Sequence, residues 1–183
     1  MCIRDRTMPV PSIQVVHSGD RWKCLMCGEC CRTLRIDLNI EDLRNLGSLL
    51  DRKLDLYISD SFQPHIRSKG PKCWHKGCYF FDDQKARCTI YKLRPATCRC
   101  YPFLIAPSEV ATANGFEASK EDVVWRERGP FVLLYQTNCK GFGRGKAIDL
   151  EKNVDLCLKT VFDFAKLLRA NWSWYSELEK LEI

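Results

Sequence analysis

The chain has 183 residues, 12 of them cysteine, and carries a formal net charge of +6 at neutral pH. A chain of this length buries roughly 70% of its unfolded surface, so cysteines need not replace a core, and 12 in 183 falls below the ~8–10% of a disulfide scaffold. Hydrophobic content of 45% and charged content of 28% exclude a disordered or collagenous chain, and no run approaches the ~18 apolar residues of a membrane span.

Residues 1–7 begin Met1-Cys2-Ile3-Arg4-Asp5-Arg6, which reads as the translated end of a library adaptor. They are set aside as a non-native leader, with the natural start expected at Met8. Residues 1–20 lack the ~7–15-residue apolar core of a signal peptide. The expected compartment is the reducing cytoplasm, where clustered cysteines serve as metal ligands or redox thiols more often than as disulfides. Residues 9–23 read as an extended lead-in with Pro9, Pro11 and Val15-Val16. Leu34, Ile36 and Leu38 alternate with Arg35 and Asp37, the period of a half-buried strand. Asn39 with Asp42 resembles a helix N-cap. Ile40, Leu43, Leu46 and Leu50 follow at helical spacing, and Leu54 and Ile58 extend the series. Pro64, Gly70, Pro71 and Gly77 predict loop over 61–77, and 78–102 leaves little room for a long helix. Val123-Val124-Trp125 and residues 131–135 predict two strands joined at Gly129-Pro130. From Asp149 to about Leu178, Val154, Leu158, Val161, Ala165, Leu168 and Trp172 recur at steps of three or four, predicting a long terminal helix. With no repeat and no linker, 8–183 reads as a single α+β domain: small, irregular, organised by metal, with short strands and a long C-terminal helix.

The most specific signal is Cys24-x2-Cys27-x2-Cys30-Cys31. A Cys-x2-Cys turn lets two thiolates converge on one ion, and Gly28 behind it permits the tight backbone of a metal knuckle. The spacing also overlaps the bacterial ferredoxin run. Adjacent side chains cannot easily reach one small ion, so Cys30 and Cys31 are expected to serve two centres or opposite corners of a larger cluster. Cys78, Cys88 and Cys98, nine residues between each pair, and Cys139 bring the set to eight. Eight thiolates fill two four-cysteine sites, as two zinc ions, one or two iron–sulfur clusters, or a mixture.

The blocks Cys24-x2-Cys27-Gly28-x-Cys30-Cys31-Arg32, Gly77-Cys78-Tyr79-Phe80-Phe81, residues 88–99 from Cys88-Thr89-Ile90-Tyr91 to Arg94-Pro95-Ala96-Thr97-Cys98-Arg99, Tyr101-Pro102-Phe103 and Cys139-Lys140-Gly141-Phe142-Gly143 resemble the YkgJ-type cysteine-cluster family, a zinc- or iron-chelating CxxCxxCC domain. The resemblance runs from about Cys24 to Lys146. It implies Cys24, Cys27, Cys30, Cys31, Cys78, Cys88, Cys98 and Cys139 as metal ligands, holding an iron–sulfur cluster or Zn2+. Iron–sulfur is the favoured reading, with a redox or client protein as partner and no membrane; a structural zinc interaction module is the alternative. A related group, the flagellin lysine N-methylases, carries a similar cluster and leaves a protein-modifying enzyme as a third reading. No triad, paired-carboxylate motif or complete nucleotide loop supports catalysis independently.

Cys73 and Cys100 flank the pattern without falling on it. Cys100, two residues from Cys98, would share its face on a strand. Cys157 on the terminal stripe is expected in the core. His17 and His65 are isolated, and His75 beside Cys73 is the one candidate histidine ligand. Gly141-Phe142-Gly143-Arg144-Gly145-Lys146 fails the P-loop template and is expected to donate backbone N–H groups to Cys139. Pro95 fixes the approach to Cys98, Arg94 balances thiolate charge, and Tyr79, Phe80, Phe81, Tyr91, Tyr101 and Phe103 form an apolar wall. Eight thiolates around two dipositive centres would lower the charge from +6 to about +2, which argues against a nucleic-acid partner.

Overall fold

The computed structural model describes residues 12–33, 36–49, 56–58, 64–66, 68–70 and 73–169, and within them helices and short strands are mixed in an α+β arrangement. The chain forms two compact units. Among the described residues, the first holds those of 28–99 and 160–169, and the second those of 12–27 and 100–159.

The second unit is organised by the strand Gly129–Gln136. It pairs antiparallel with Ile13–Val15, Val123–Arg126 and Phe103–Pro107. Alternating side chains serve opposite faces. Phe131 and Leu133 join Val16, Phe103, Val124, Val154 and Cys157 in one core. Val132 and Leu134 join Val15 and Ala111 in another. Ala111 comes from the helix Ser108–Ala113, and Val154 and Cys157 from the helix Leu150–Arg169. The hairpin turns two residues earlier than Gly129-Pro130: Arg126 pairs with Gly129, so Glu127-Arg128 makes the turn and Gly129 (φ +114°) opens the strand. The terminal helix begins where its pattern predicts, but its buried stripe is phased through Val154 and Cys157, leaving Val161 51% exposed. Its extension toward Leu178, and the side chains of Leu168 and Trp172, lie outside the described residues.

The first unit has a core of Ile36, Leu38, Leu43, Leu46, Ile66, Cys78, Phe80 and Phe81. The helix Ile40–Leu46 starts with a capping box: Asp42 N–H donates to Asn39 Oδ1 at 2.8 Å, and Asn39 N–H to Asp42 Oδ2 at 3.3 Å. It ends in a 3-10 turn at Gly47–Leu49. Ile58 therefore does not continue the helix; it closes the strand Leu56–Ile58, paired with Pro64–Ile66. Leu50 and Leu54 lie outside the described residues. Strands also replace much of the expected loop at 61–77: Pro64–Ile66, then Ser68–Gly70 paired with Cys73–Cys78. Pro64 occupies the first position of its strand, where a missing N–H is tolerated. Ile36 and Leu38 are buried as their alternation predicts, and Asp37 between them lies in a β-bridge; Leu34 and Arg35 lie outside the described residues. Among the described residues, no helix is long and apolar enough to cross a membrane.

Candidate metal centre

Five of the eight thiols singled out from sequence lie in the first unit, each placed by a close backbone approach or a cap. Cys30 and Cys31 sit on the helix Glu29–Thr33. Gly28 (φ +77°) opens that turn, and its carbonyl accepts from Arg32 N–H at 3.0 Å. A Cβ on Gly28 would lie 2.1 Å from the Phe81 ring, so only glycine allows this contact. Phe81 in turn pairs with Cys88 in the ribbon Phe81–Asp82/Arg87–Cys88. A Cβ on Gly77 would meet the Cys31 carbonyl at 3.3 Å, which brings the end of the strand Cys73–Cys78 beside the Cys30-Cys31 turn. Cys98 rides on the short helix Ala96–Cys100. Two hydrogen bonds pin its start: Ala96 N–H to Asp42 Oδ1 at 3.0 Å and the Thr97 hydroxyl to the Asp37 carbonyl at 2.9 Å. Pro95, fully buried, precedes it and accepts from Arg99 N–H at 3.0 Å.

Electrostatics tie these sulfurs together. Burial pushes the Cys98 thiol up, and the charges of Cys78, Cys30 and Cys88 push it further; the Arg94 guanidinium pulls it back. Cys30 is raised first by its hydrogen bond to Cys31, then by burial and the charge of Cys31, again opposed by Arg94. Arg94 is held over the Tyr91 ring at 3.9 Å, with its Nε–H on the Tyr91 carbonyl at 3.1 Å. It acts on the thiols as the charge-balancing reading expects. Four sulfurs, Cys30, Cys78, Cys88 and Cys98, thus share one field. Among the described residues, no group of three or more Cys, His, Asp or Glu side chains is already converged on a metal position. The donor chemistry nonetheless fits a thiolate-bound metal: a cation would favour the deprotonated form that burial and mutual repulsion now oppose, exchanging protons for metal.

The remaining three, Cys24, Cys27 and Cys139, lie in the second unit. Arg21–Trp22 pairs with Lys146–Ala147, and Lys23 N–H donates to the Gly141 carbonyl at 3.2 Å. A Cβ on Gly141 would stand 2.2 Å from the Lys23 carbonyl, and one on Gly145 would stand 2.7 Å from the Trp22 carbonyl. The glycines therefore exist for close packing against the segment that leads into Cys24. They are not the donors expected at Cys139: Gly143 N–H goes to the Arg21 carbonyl at 2.8 Å, and the indole N–H of Trp22 points at Cys139 Sγ at 3.5 Å. Sequence reasoning missed Trp22, whose one signal was an N–H-bearing aromatic two residues before Cys24. Met26, between Cys24 and Cys27, adopts φ +53°, a left-handed turn uncommon outside glycine.

Other assignments change. Cys100 ends a helix rather than lying on a strand; residues two apart on a helix point about 200° apart, so it does not share a face with Cys98. It is buried in the second unit's core with Cys157, which is core as expected. Tyr79 is exposed, while Phe80 and Phe81 pack against Cys78, so the apolar wall is narrower than six aromatics. His17 is paired with Asp122 at 2.9 Å. The side chains of Cys73, His65 and His75 lie outside the described residues.

A family model described as "Putative zinc- or iron-chelating domain" matches residues 23–129, a span that contains seven of the eight cysteines and stops short of Cys139. A 97-residue stretch is 28% identical to Uncharacterized protein MJ0661 of Methanocaldococcus jannaschii, covering 50% of this chain and 50% of that protein. The chain thus spans about half the length of this curated relative. No solved structure matches. With the matched span covering more than half of its length, the chain belongs to the CxxCxxCC family of zinc- or iron-chelating domains.

Proposed function

We propose that the protein holds an iron–sulfur centre through cysteine thiolates and passes single electrons to a protein partner in the reducing cytoplasm. The supporting observation is the environment of Cys98, whose thiol is repelled by Cys78, Cys30 and Cys88 and favoured as thiolate by Arg94. With Cys31 these make five proposed ligands within the first unit, and Cys24, Cys27 and Cys139 in the second complete the proposed set of eight. When bound, an iron–sulfur centre supplies one-electron chemistry at a potential set by charge, hydrogen bonds to sulfur and solvent exposure. The chain controls each of these. Arg94 offsets thiolate charge, Phe80 and Phe81 keep water from the Cys78 side, and the Trp22 indole donates to Cys139. Adjacent Cys30 and Cys31, whose side chains are hydrogen-bonded to each other, would take neighbouring positions on a multi-iron core.

A structural zinc centre is the second reading, since four cysteines are also the donor set of structural zinc. Its surface would then bind a partner. Anaerobic purification followed by a visible spectrum and assays of iron, zinc and acid-labile sulfide separates the two. A brown, sulfide-containing protein that bleaches with dithionite is expected. A colourless zinc protein without sulfide overturns the iron–sulfur reading.

A further inference from the structure

Cys100 and Cys157 stand outside the eight proposed ligands, yet they share one core of the second unit, 8% and 4% exposed. The Cys157 thiol is hydrogen-bonded to Cys100, and the Cys100 thiol donates to the Leu156 carbonyl at 3.7 Å. Thiols that serve only as small hydrophobes need no such pairing. Two sulfurs within hydrogen-bond reach of each other come here from segments more than fifty residues apart, and a disulfide between them would need only a short approach.

We propose that Cys100 and Cys157 form a thiol pair that a low-molecular-weight disulfide converts into an intramolecular disulfide. The Cys100 sulfur, the more exposed of the two, attacks one sulfur of the reagent. A mixed disulfide forms, the reagent's S–S bond breaks, and its other half leaves as a thiol carrying the proton. The Cys157 sulfur then attacks the mixed disulfide at Cys100. The Cys100–Cys157 bond forms and the second reagent thiol leaves with the second proton. Two protein thiols are oxidised by two electrons, and one small disulfide is reduced to two thiols. Burial makes the exchange slow, so sustained oxidising conditions are required. Metal engages the proposed ligand sulfurs and leaves Cys100 and Cys157 able to exchange. The new bond ties Cys100 to the helix Leu150–Arg169.

The test uses the full chain in its metal-bound form, exposed overnight to oxidised glutathione, then unfolded in iodoacetamide and digested with trypsin without reductant. Cleavage after Arg99, Lys120, Lys152 and Lys159 leaves Cys100 as the sole cysteine of residues 100–120 and Cys157 as the sole cysteine of 153–159. The expected product is these two peptides joined, separating on reduction. Recovery of both in alkylated form, of separate glutathione adducts, or of Cys100 joined to any other cysteine overturns the proposal.

Discussion

The buried carboxylate of Asp42 accepts the Ala96 N–H at 3.0 Å from 54 residues away, while its other oxygen accepts Asn39 N–H. One acid thus caps the helix Ile40–Leu46 and the helix that presents Cys98. Asp42→Ala leaves two buried N–H groups without their acceptor and should cost about 1–3 kcal/mol of stability. It should also release metal more readily than the parent, because Cys98 loses its anchor. Burial raises the Asp42 pKa above the ordinary carboxylate range. The folded state therefore binds its proton more tightly than the unfolded state, and the group's contribution to stability falls as pH rises from about 4 through the folded pKa. The difference between parent and variant should be largest in acid and shrink above that window, as read by urea unfolding across pH.

Gly28→Ala puts a methyl 2.1 Å from a Phe81 ring that is 2% exposed and carries the Arg32 guanidinium 4.6 Å from its centroid. The ring has nowhere to retreat. Backbone strain at φ +77° adds to the overlap. A loss of about 2–4 kcal/mol, with reduced metal content, is expected. Gly19→Ala is the control: its φ is +92°, but nothing lies within 4 Å of the added methyl. It should cost only the strain, about 1 kcal/mol, and leave metal content unchanged. Equal metal loss in both variants would show that the Phe81 contact does not place the Cys30-Cys31 turn.

These two sites mark how far the sequence was readable. The Asn39–Asp42 cap, the strands around 123–135 and the start of the terminal helix follow from signals within a few residues. The second hydrogen bond of Asp42, the reach of Trp22 to Cys139 and the pairing of Cys100 with Cys157 depend on residues 50 to 120 positions apart, which no local pattern encodes. Strands at 64–78 were hidden because Pro64 and Gly70 carry loop signals while sitting at strand ends. For the eight cysteines that the spacing singles out, the division into five and three was not legible, because it depends on where the chain crosses between units at Cys27–Gly28 and Arg99–Cys100.

Asp122 is almost wholly buried, and burial pushes its pKa up. Hydrogen bonds from His17, Ser18 and Ser119 outweigh that and hold it at about 2. A carboxylate with a depressed folded pKa stabilises the fold above its unfolded value near 4 and loses that contribution as pH falls toward 2. The amount is ~2 kcal/mol. Asp122→Asn should unfold more easily at neutral pH yet show a flatter stability profile between pH 4 and about 2. Parallel profiles for parent and variant would show that these hydrogen bonds do not depend on the charge.

Arg94 faces Cys30 and Cys98 and lowers both thiols toward the ligand form. In Arg94→Gln the length and some hydrogen bonding persist while the charge is lost. Both thiols then hold their protons more strongly, and metal must compete against tighter proton binding. Metal retention should therefore fail at a higher pH than in the parent, with little change well above that point. Arg94→Lys should lie between the two, because a lysine keeps the charge but not the planar stack on Tyr91. Metal content after equilibration across a pH series checks the order. If lysine and glutamine behave alike, the stack on Tyr91 governs the thiols rather than the charge, and Arg94 supports the centre by holding the Tyr91–Leu93 turn in place.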